Sequence, residues 1–200
     1  MSKSRRKVHA ARVRIGRGHL GGRYVSFRDH EDLRPTLGRV RDAIFSMIAD
    51  ETDTFGFIDL CAGSGVMGFE AFSMGFRPVW MLETQRQAIF DLHENSKELG
   101  AEVRLVSDSA LHLTRHSPPQ GAYVCFADPP YADTHFHGRM LSLLAEAPFL
   151  LPGSIYLAEH EQAEFSPVLG WHLSKQKRYG RVVISVLMKQ EGESGAPPLE

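Results

Sequence analysis

The sequence predicts an α/β fold: a doubly wound, Rossmann-like, mostly parallel sheet with a C-terminal antiparallel hairpin and a small basic N-terminal β-hairpin and helix. Three observations predict it. From residue 56 to residue 159, short apolar runs alternate with segments of helical period, the pattern of βαβ units. A glycine-rich loop joins the first of these runs to the first of these helices. The last two apolar runs follow each other with no helix between them. At 200 residues, 42% hydrophobic and 24% charged, the chain suits one ordinary domain whose core needs no metal or disulfide.

Residues 1–10 read as a flexible basic tail. Across 11–28, Val13, Ile15, Tyr24, Val25 and Phe27 surround Gly16, Gly18, Gly21 and Gly22, which reads as a β-hairpin with a glycine-rich turn. Leu33-Arg34-Pro35-Thr36 opens a helix near Pro35, because the α region is disfavoured before a proline and proline suits a first turn. Val40, Ile44, Met47 and Ile48 then fall on one helical face. Residues 11–50 thus form a basic N-terminal unit, 51–189 the main domain and 190–200 a second flexible tail.

Within the main domain, strands are expected at 57–60, 79–82, 103–106, 122–127 and 154–159. Helices are expected at 64–74, 85–99, 109–116 and 137–146. The closing hairpin is expected from His172–Gln176 and Arg181–Met188, with its turn near Lys177-Arg178-Tyr179-Gly180. Trp80 and Trp171 read as core or edge packing.

The net charge of −1 hides an asymmetry. Residues 1–41 hold 12 Lys and Arg against 3 Asp and Glu, whereas residues 42–200 hold 11 against 21. A basic arm on an acidic body points to a polyanion, most simply nucleic acid. The arm is mostly arginine, whose planar fork suits phosphate. No apolar run approaches the ~20 residues of a membrane helix, and no apolar stretch follows the basic start, so no secretory signal is expected. Two cysteines, Cys61 and Cys125, make no framework, and a cytoplasmic location is expected. Nothing in the chain demands a dimer, and a monomer is expected.

Asp59-Leu60-Cys61-Ala62-Gly63-Ser64-Gly65-Val66-Met67-Gly68 places G-x-G-x-x-G directly after a strand and at the opening of a helix. Glu83 ends the next strand, 20 residues after Gly63, where a carboxylate accepts from the ribose hydroxyls of an adenosine-type cofactor. The glycines alone leave open a dinucleotide or S-adenosylmethionine. Asp59 favours the second, because a carboxylate repels a pyrophosphate and attracts a sulfonium bearing an ammonium group. Cys61 has no histidine near it in sequence and reads as packing at the strand end.

Asp128-Pro129-Pro130-Tyr131 follows the fourth strand directly. Two prolines make a rigid turn and remove two N–H donors, leaving carbonyls to accept. Asp128 adds a carboxylate and Tyr131 a ring. Together they suit a planar base with an exocyclic amine, held by acceptors and stacked on the ring. Orienting that amine toward a methyl electrophile is catalysis by proximity and alignment.

With those residues in view, the chain resembles class I S-adenosylmethionine-dependent methyltransferases with a (D/N)PP(Y/F) motif. More narrowly, it resembles the bacterial 16S ribosomal RNA guanine-966-N2 methyltransferase family over about residues 12–188. Arg12-Val13-Arg14-Ile15-Gly16-Arg17-Gly18 and Gly21-Gly22-Arg23 resemble that family's opening. The segment from Leu33 to Phe45 resembles its R-P-T-x-x-R-V-R helix, Asp59 to Gly65 its D-L-F-A-G-S-G loop, and Arg178-Tyr179-Gly180 its R-x-Y-G. Leu37-Gly38, Cys61 and Thr84-Gln85 depart from the pattern.

The resemblance implies a methyl transfer from S-adenosylmethionine to a guanine N2 in ribosomal RNA, within the 30S subunit. The alternative with the same motif is adenine N6 of RNA or DNA. Asp59, Ala62, Gly63, Ser64, Gly65 and Glu83 would line the cofactor site. Asp108 or Ser109 would meet the adenine, depending on a one-residue shift. Asp128, Pro129, Pro130 and Tyr131 would present the base. Arg12, Arg14, Arg17, Arg23, Arg34, Arg39 and Arg41 would touch RNA.

Of ten histidines, His135 and His137 follow the DPPY segment. No cysteine or carboxylate cluster at ligand spacing supports a metal, and none is expected. The two histidines are expected on a mobile loop flanking the substrate, and Asp133 and His160 on the surface.

Overall fold

The computed structural model describes residues 10–28, 38–130, 133–161 and 169–191. The chain begins with an antiparallel ribbon of β1 (Ala10–Arg14) and β2 (Tyr24–Arg28), followed by α1 (Gly38–Met47). The main sheet is built from β3 (Gly56–Asp59), β4 (Val79–Leu82), β5 (Arg104–Val106), β6 (Tyr123–Ala127), β7 (Ile155–His160), β8 (Trp171–Tyr179) and β9 (Val182–Lys189). Helices α2 (Val66–Met74), α3 (Arg86–Leu99) and α4 (Phe136–Glu146) cross between strands. The strand order is β5-β4-β3-β6-β7-β9-β8. The first five strands in that order run parallel, and β9 enters antiparallel to both β7 and β8. This is the doubly wound sheet with a closing hairpin that the sequence predicts.

Side chains alternate between two core layers. Phe57, Met81, Phe126 and Leu157 pack on one face of the sheet, and Ile58, Leu82, Cys125 and Tyr156 on the other. The N-terminal ribbon shares the first layer through Ile15, Leu20 and Val25. It is tied down by polar contacts as well. Asn95 of α3 accepts from the Ser26 N–H at 2.9 Å and donates to the Ser26 carbonyl at 2.7 Å, so its amide pairs with β2 as a strand would. Trp80 and Trp171 are buried, as expected.

Two expectations change. The segment before β6 is a 3-10 helix (Ala110–His116), opened by the Ser109 hydroxyl accepting from Leu111 N. The closing turn is shorter than expected: β8 continues through Lys177, Arg178 and Tyr179, which pair with Ile184, Val183 and Val182. Gly180 and Arg181 alone reverse the chain, and Gly180, with φ 65, takes the left-handed backbone of that turn. The expected helix start at Pro35 lies outside the described residues, as does Arg34.

Candidate active site

Strand order reverses between β3 and β6. In an open α/β sheet, that break leaves a crevice at the carboxyl ends of the strands, and ligands bind there. The glycine loop sits at this break, between β3 and α2. Gly63 and Gly65 take left-handed backbone, with φ 51 and 81. A Cβ on Gly65 would lie 2.3 Å from Leu92 Cδ2, and one on Gly68 would lie 2.7 Å from Met81 Sδ. The glycines therefore let α2 approach the sheet and hold the loop open toward a ligand.

Four carboxylates meet at this edge. Asp59 pairs in register with Met81 and with Phe126, and Ala127 pairs with Ala158. Period-two alternation then turns Asp59, Glu83, Asp128 and Glu159 toward one face, that of Phe57 and Leu157. Adjacent strands β4, β3, β6 and β7 each bring an acid to that face, at the strand's last residue or one residue from it.

Asp59 is buried, and its Oδ2 accepts from the Gly68 N–H at 3.2 Å. Burial pushes it up to about 7 against the hydrogen bonds from Gly68 and Cys61, and the charges of Glu83 and Asp128 add to the rise. Glu83 holds the loop: its Oε2 accepts from Gly63 N at 2.8 Å, and its Oε1 from Thr84 N and Gln85 N at 2.7 and 2.8 Å. Burial raises Asp128 above the usual carboxylate range. Ala62 and Ser64 are buried inside the loop.

Asp59 Oδ1 is buried without a hydrogen-bond partner. A basin of acids with such an oxygen suits a ligand that brings positive charge and N–H donors. It does not suit a pyrophosphate, so the chemistry of the donor set fits S-adenosylmethionine better than a dinucleotide.

Asp108 follows β5 with both oxygens engaged. His112 Nδ1 lies 2.8 Å from Oδ1, and His116 Nε2 lies 2.9 Å from Oδ2. These contacts and the Ser109 N–H hold the Asp108 carboxyl well below its ordinary range. The Ser109 side chain caps the following 3-10 helix. Pro129 and Pro130 continue from Asp128, and the Pro130 carbonyl accepts from Asp133 N at 3.0 Å, closing the turn before α4. Tyr131 lies outside the described residues.

The arginines divide. Arg12, Arg14 and Arg39 are exposed. Arg12 lies over the half-exposed Tyr24 ring, 5.9 Å from its centroid, on the solvent face of the ribbon. Arg17 donates to the Asp42 carbonyl and to Ser46 Oγ at 3.0 and 2.8 Å. Arg23 donates to the Leu99 and Glu98 carbonyls at 3.1 and 2.6 Å, capping the C-terminus of α3. Arg41 corrects the expectation of RNA contact. It is 6% exposed, its Nε lies 2.7 Å from Glu70 Oε2, and its Nη2 donates to the Arg14 carbonyl. The amphipathic face of α1 carries it inward, where it neutralises a buried acid.

Two further expectations fail. His137 belongs to α4, not a mobile loop. It packs against Tyr156, with Nδ1 2.9 Å from the phenol oxygen and Nε2 3.2 Å from the Glu159 carbonyl. Burial pushes His137 down to about 4. His160 is buried, 2.8 Å from Ser185 Oγ, because β7 is covered on both faces. Asp133 is on the surface as expected, paired with Arg139. Among the described residues, no group of three or more His, Cys, Asp and Glu is placed to hold a metal, and no helix is long and apolar enough to cross a membrane.

Sequence reading missed Glu159 and the cationic edge. Glu159 is buried beside Asp128. Its only sequence signal is its place at the end of the strand next to the DPPY strand. The exposed edge strand β8 carries Lys175, Lys177 and Arg178 without an acid. The register Lys177–Ile184–Glu159 leads from that edge to the acidic crevice.

Comparison with known proteins bears on this site. The family model described as "Conserved hypothetical protein 95" matches residues 13–188. "Ribosomal RNA small subunit methyltransferase D" of Haemophilus influenzae is 31% identical over 179 residues, spanning 85% of this chain and 90% of that protein. The Escherichia coli protein of the same name is 28% identical over 192 residues, spanning 94% and 96%. The solved structure of a putative methyltransferase from Escherichia coli superposes with a TM-score of 0.80 at 24% identity, over 90% of this chain and 99% of that one. At that identity the likeness concerns the fold.

Proposed function

Because the chain belongs to the family described as "Conserved hypothetical protein 95", we propose that it methylates ribosomal RNA with S-adenosylmethionine as the methyl donor. The acceptor is the exocyclic N2 amine of a guanine in small-subunit RNA. The observation that carries this reading is the row of acids across the strand-order reversal, with Asp128 leading into two prolines.

The cofactor supplies an electrophilic methyl group on a sulfonium. Asp59 would receive its ammonium group, Glu83 its ribose hydroxyls, and Gly63, Ser64 and Gly65 would allow close approach. Asp108 or Ser109 would meet its adenine. Asp128 accepts a hydrogen bond from the base amine and turns its lone pair toward the methyl group. Asp128, or water beside it, would take the proton that the amine gives up on methylation. Its raised affinity for a proton suits Asp128 to that task. Pro129 and Pro130 keep the turn rigid, and Tyr131 supplies the stacking face.

Arg12, Arg14 and Arg39, together with Tyr24, give the N-terminal unit an exposed cationic and aromatic surface for RNA. Lys175, Lys177 and Arg178 add further cationic side chains along the exposed edge strand β8. The 30S subunit presents folded RNA of this kind, and a single chain suffices for the site.

The test is transfer of labelled methyl from S-adenosylmethionine to 30S subunits from cells lacking the gene, followed by nucleoside analysis. N2-methylguanosine is expected, and Asp128→Ala should abolish it while cofactor binding persists. N6-methyladenosine would overturn the acceptor, and no transfer to RNA would overturn the function.

A further inference from the structure

Glu159 is 5% exposed, and its Oε2 has no hydrogen-bond partner. Elsewhere this protein keeps a buried glutamate by pairing it: Glu70 meets Arg41 and the Gly16 N–H. Glu159 instead faces another acid. Ala127 and Ala158 are in register, so the next residues, Asp128 and Glu159, stand side by side on neighbouring strands, about 4.8 Å apart along the sheet. Burial raises both carboxyls, and the charge of Asp128 raises Glu159 further. His137 reaches the same residue from α4, through the Glu159 carbonyl, and His160 follows it on β7. Two adjacent acids, one with an open oxygen, make a site for a ligand with two adjacent donors.

Guanine is such a ligand. Its Watson–Crick edge carries the ring N1–H beside the N2 amine, whereas adenine carries an unprotonated N1 beside its amine. We propose that Glu159 is the second acceptor of a base-reading pair: Asp128 takes an N2–H of the target guanine and Glu159 takes its N1–H. This rests on the guanine reading above and deepens it. Glu159 thereby selects the base and sets its rotation, so that the N2 amine and not another edge meets the methyl group.

The experiment compares small subunits reconstituted with RNA carrying either guanine or 2-aminopurine at the target. 2-Aminopurine keeps the 2-amine but has no N1–H. Above pH 8, where Glu159 has released its proton and can only accept, the unsubstituted protein should prefer guanine by about 100-fold in kcat/KM, the order expected when a buried acceptor faces an acceptor. In Glu159→Gln the amide donates to the bare N1, and the preference should shrink at least tenfold. Intrinsic reactivity of the two amines cancels when the two proteins are compared. Melting temperature and cofactor binding report whether Glu159→Gln folds. If it does not, Glu159→Asp retracts the carboxyl while preserving charge, and should weaken the same preference. An unchanged preference in a folded variant overturns the proposal. Failure of the unsubstituted protein to methylate guanine overturns the acceptor assignment itself and is a separate result.

Discussion

Removing Arg41 tests whether this residue holds the fold or the RNA. Its guanidinium is buried against Glu70, which is 0% exposed. Its Nε lies 2.7 Å from Glu70 Oε2, close enough for the opposite charges to hold the pair. Burial pushes Glu70 up, and the Gly16 N–H and Arg41 pull it back. Arg41→Met leaves that acid uncompensated and removes the donor to the Arg14 carbonyl. Breaking one partner of a buried pair costs about 3–5 kcal/mol. For a chain of this size, that is a drop of about 6–20 °C in melting temperature. Adding Glu70→Gln removes the stranded charge and keeps an acceptor for Gly16, so the double variant should regain about half the loss. The assay is thermal and urea unfolding of the four members of the cycle, with RNA binding measured alongside. A melting temperature unchanged in Arg41→Met, together with lost RNA affinity, would refute the structural role and restore Arg41 to the interface.

Two more outcomes follow from the same chemistry. Asp59 rises from the ordinary 3.8 to about 7, so between those values the folded protein keeps a proton that the unfolded chain has released. Its contribution to stability is whole below the ordinary value and fades as pH rises through 7. A cationic ligand needs the ionised form, so cofactor affinity should gain up to about tenfold per pH unit toward 7 and then level off; calorimetry on Asp59→Asn should show weak binding without that slope, and an equal slope would sink the assignment. Reversing Lys175, Lys177 and Arg178 to glutamate should weaken RNA binding and reduce its logarithmic salt slope by about 2, at ~0.7 per phosphate contact. Cofactor affinity should not move, and an unaltered salt slope would remove β8 from the RNA surface.

Much of the site is local in sequence and was legible there. Gly63, Gly65 and Gly68 follow a strand and open a helix, and Asp59, Glu83 and Asp128 each sit at or just past a strand's end. Chain order and strand polarity place such residues at one edge of a parallel sheet without further information. The β8 turn was misplaced because Lys177 and Arg178 carry turn-compatible polarity while lying on an exposed edge strand.

Charge along the sequence identified a basic arm but not which arginines face water. Arg12 and Arg41 look alike in composition, yet one lies over an exposed ring and the other beneath α1. His137 reads as part of a loop flanking the substrate and His160 as a surface group because nothing near them in sequence announces the phenol and hydroxyl that receive them. The sequence by itself determined the order of elements, the glycine turn and three of the four acids, since each is set by periodicity and by residues within one strand–loop–helix unit. Only the tertiary structure decided that Glu159 joins Asp128 and that Arg41 leaves the surface. Those facts depend on register between strands and on which helix face is covered, and both are settled by packing among residues distant in the chain.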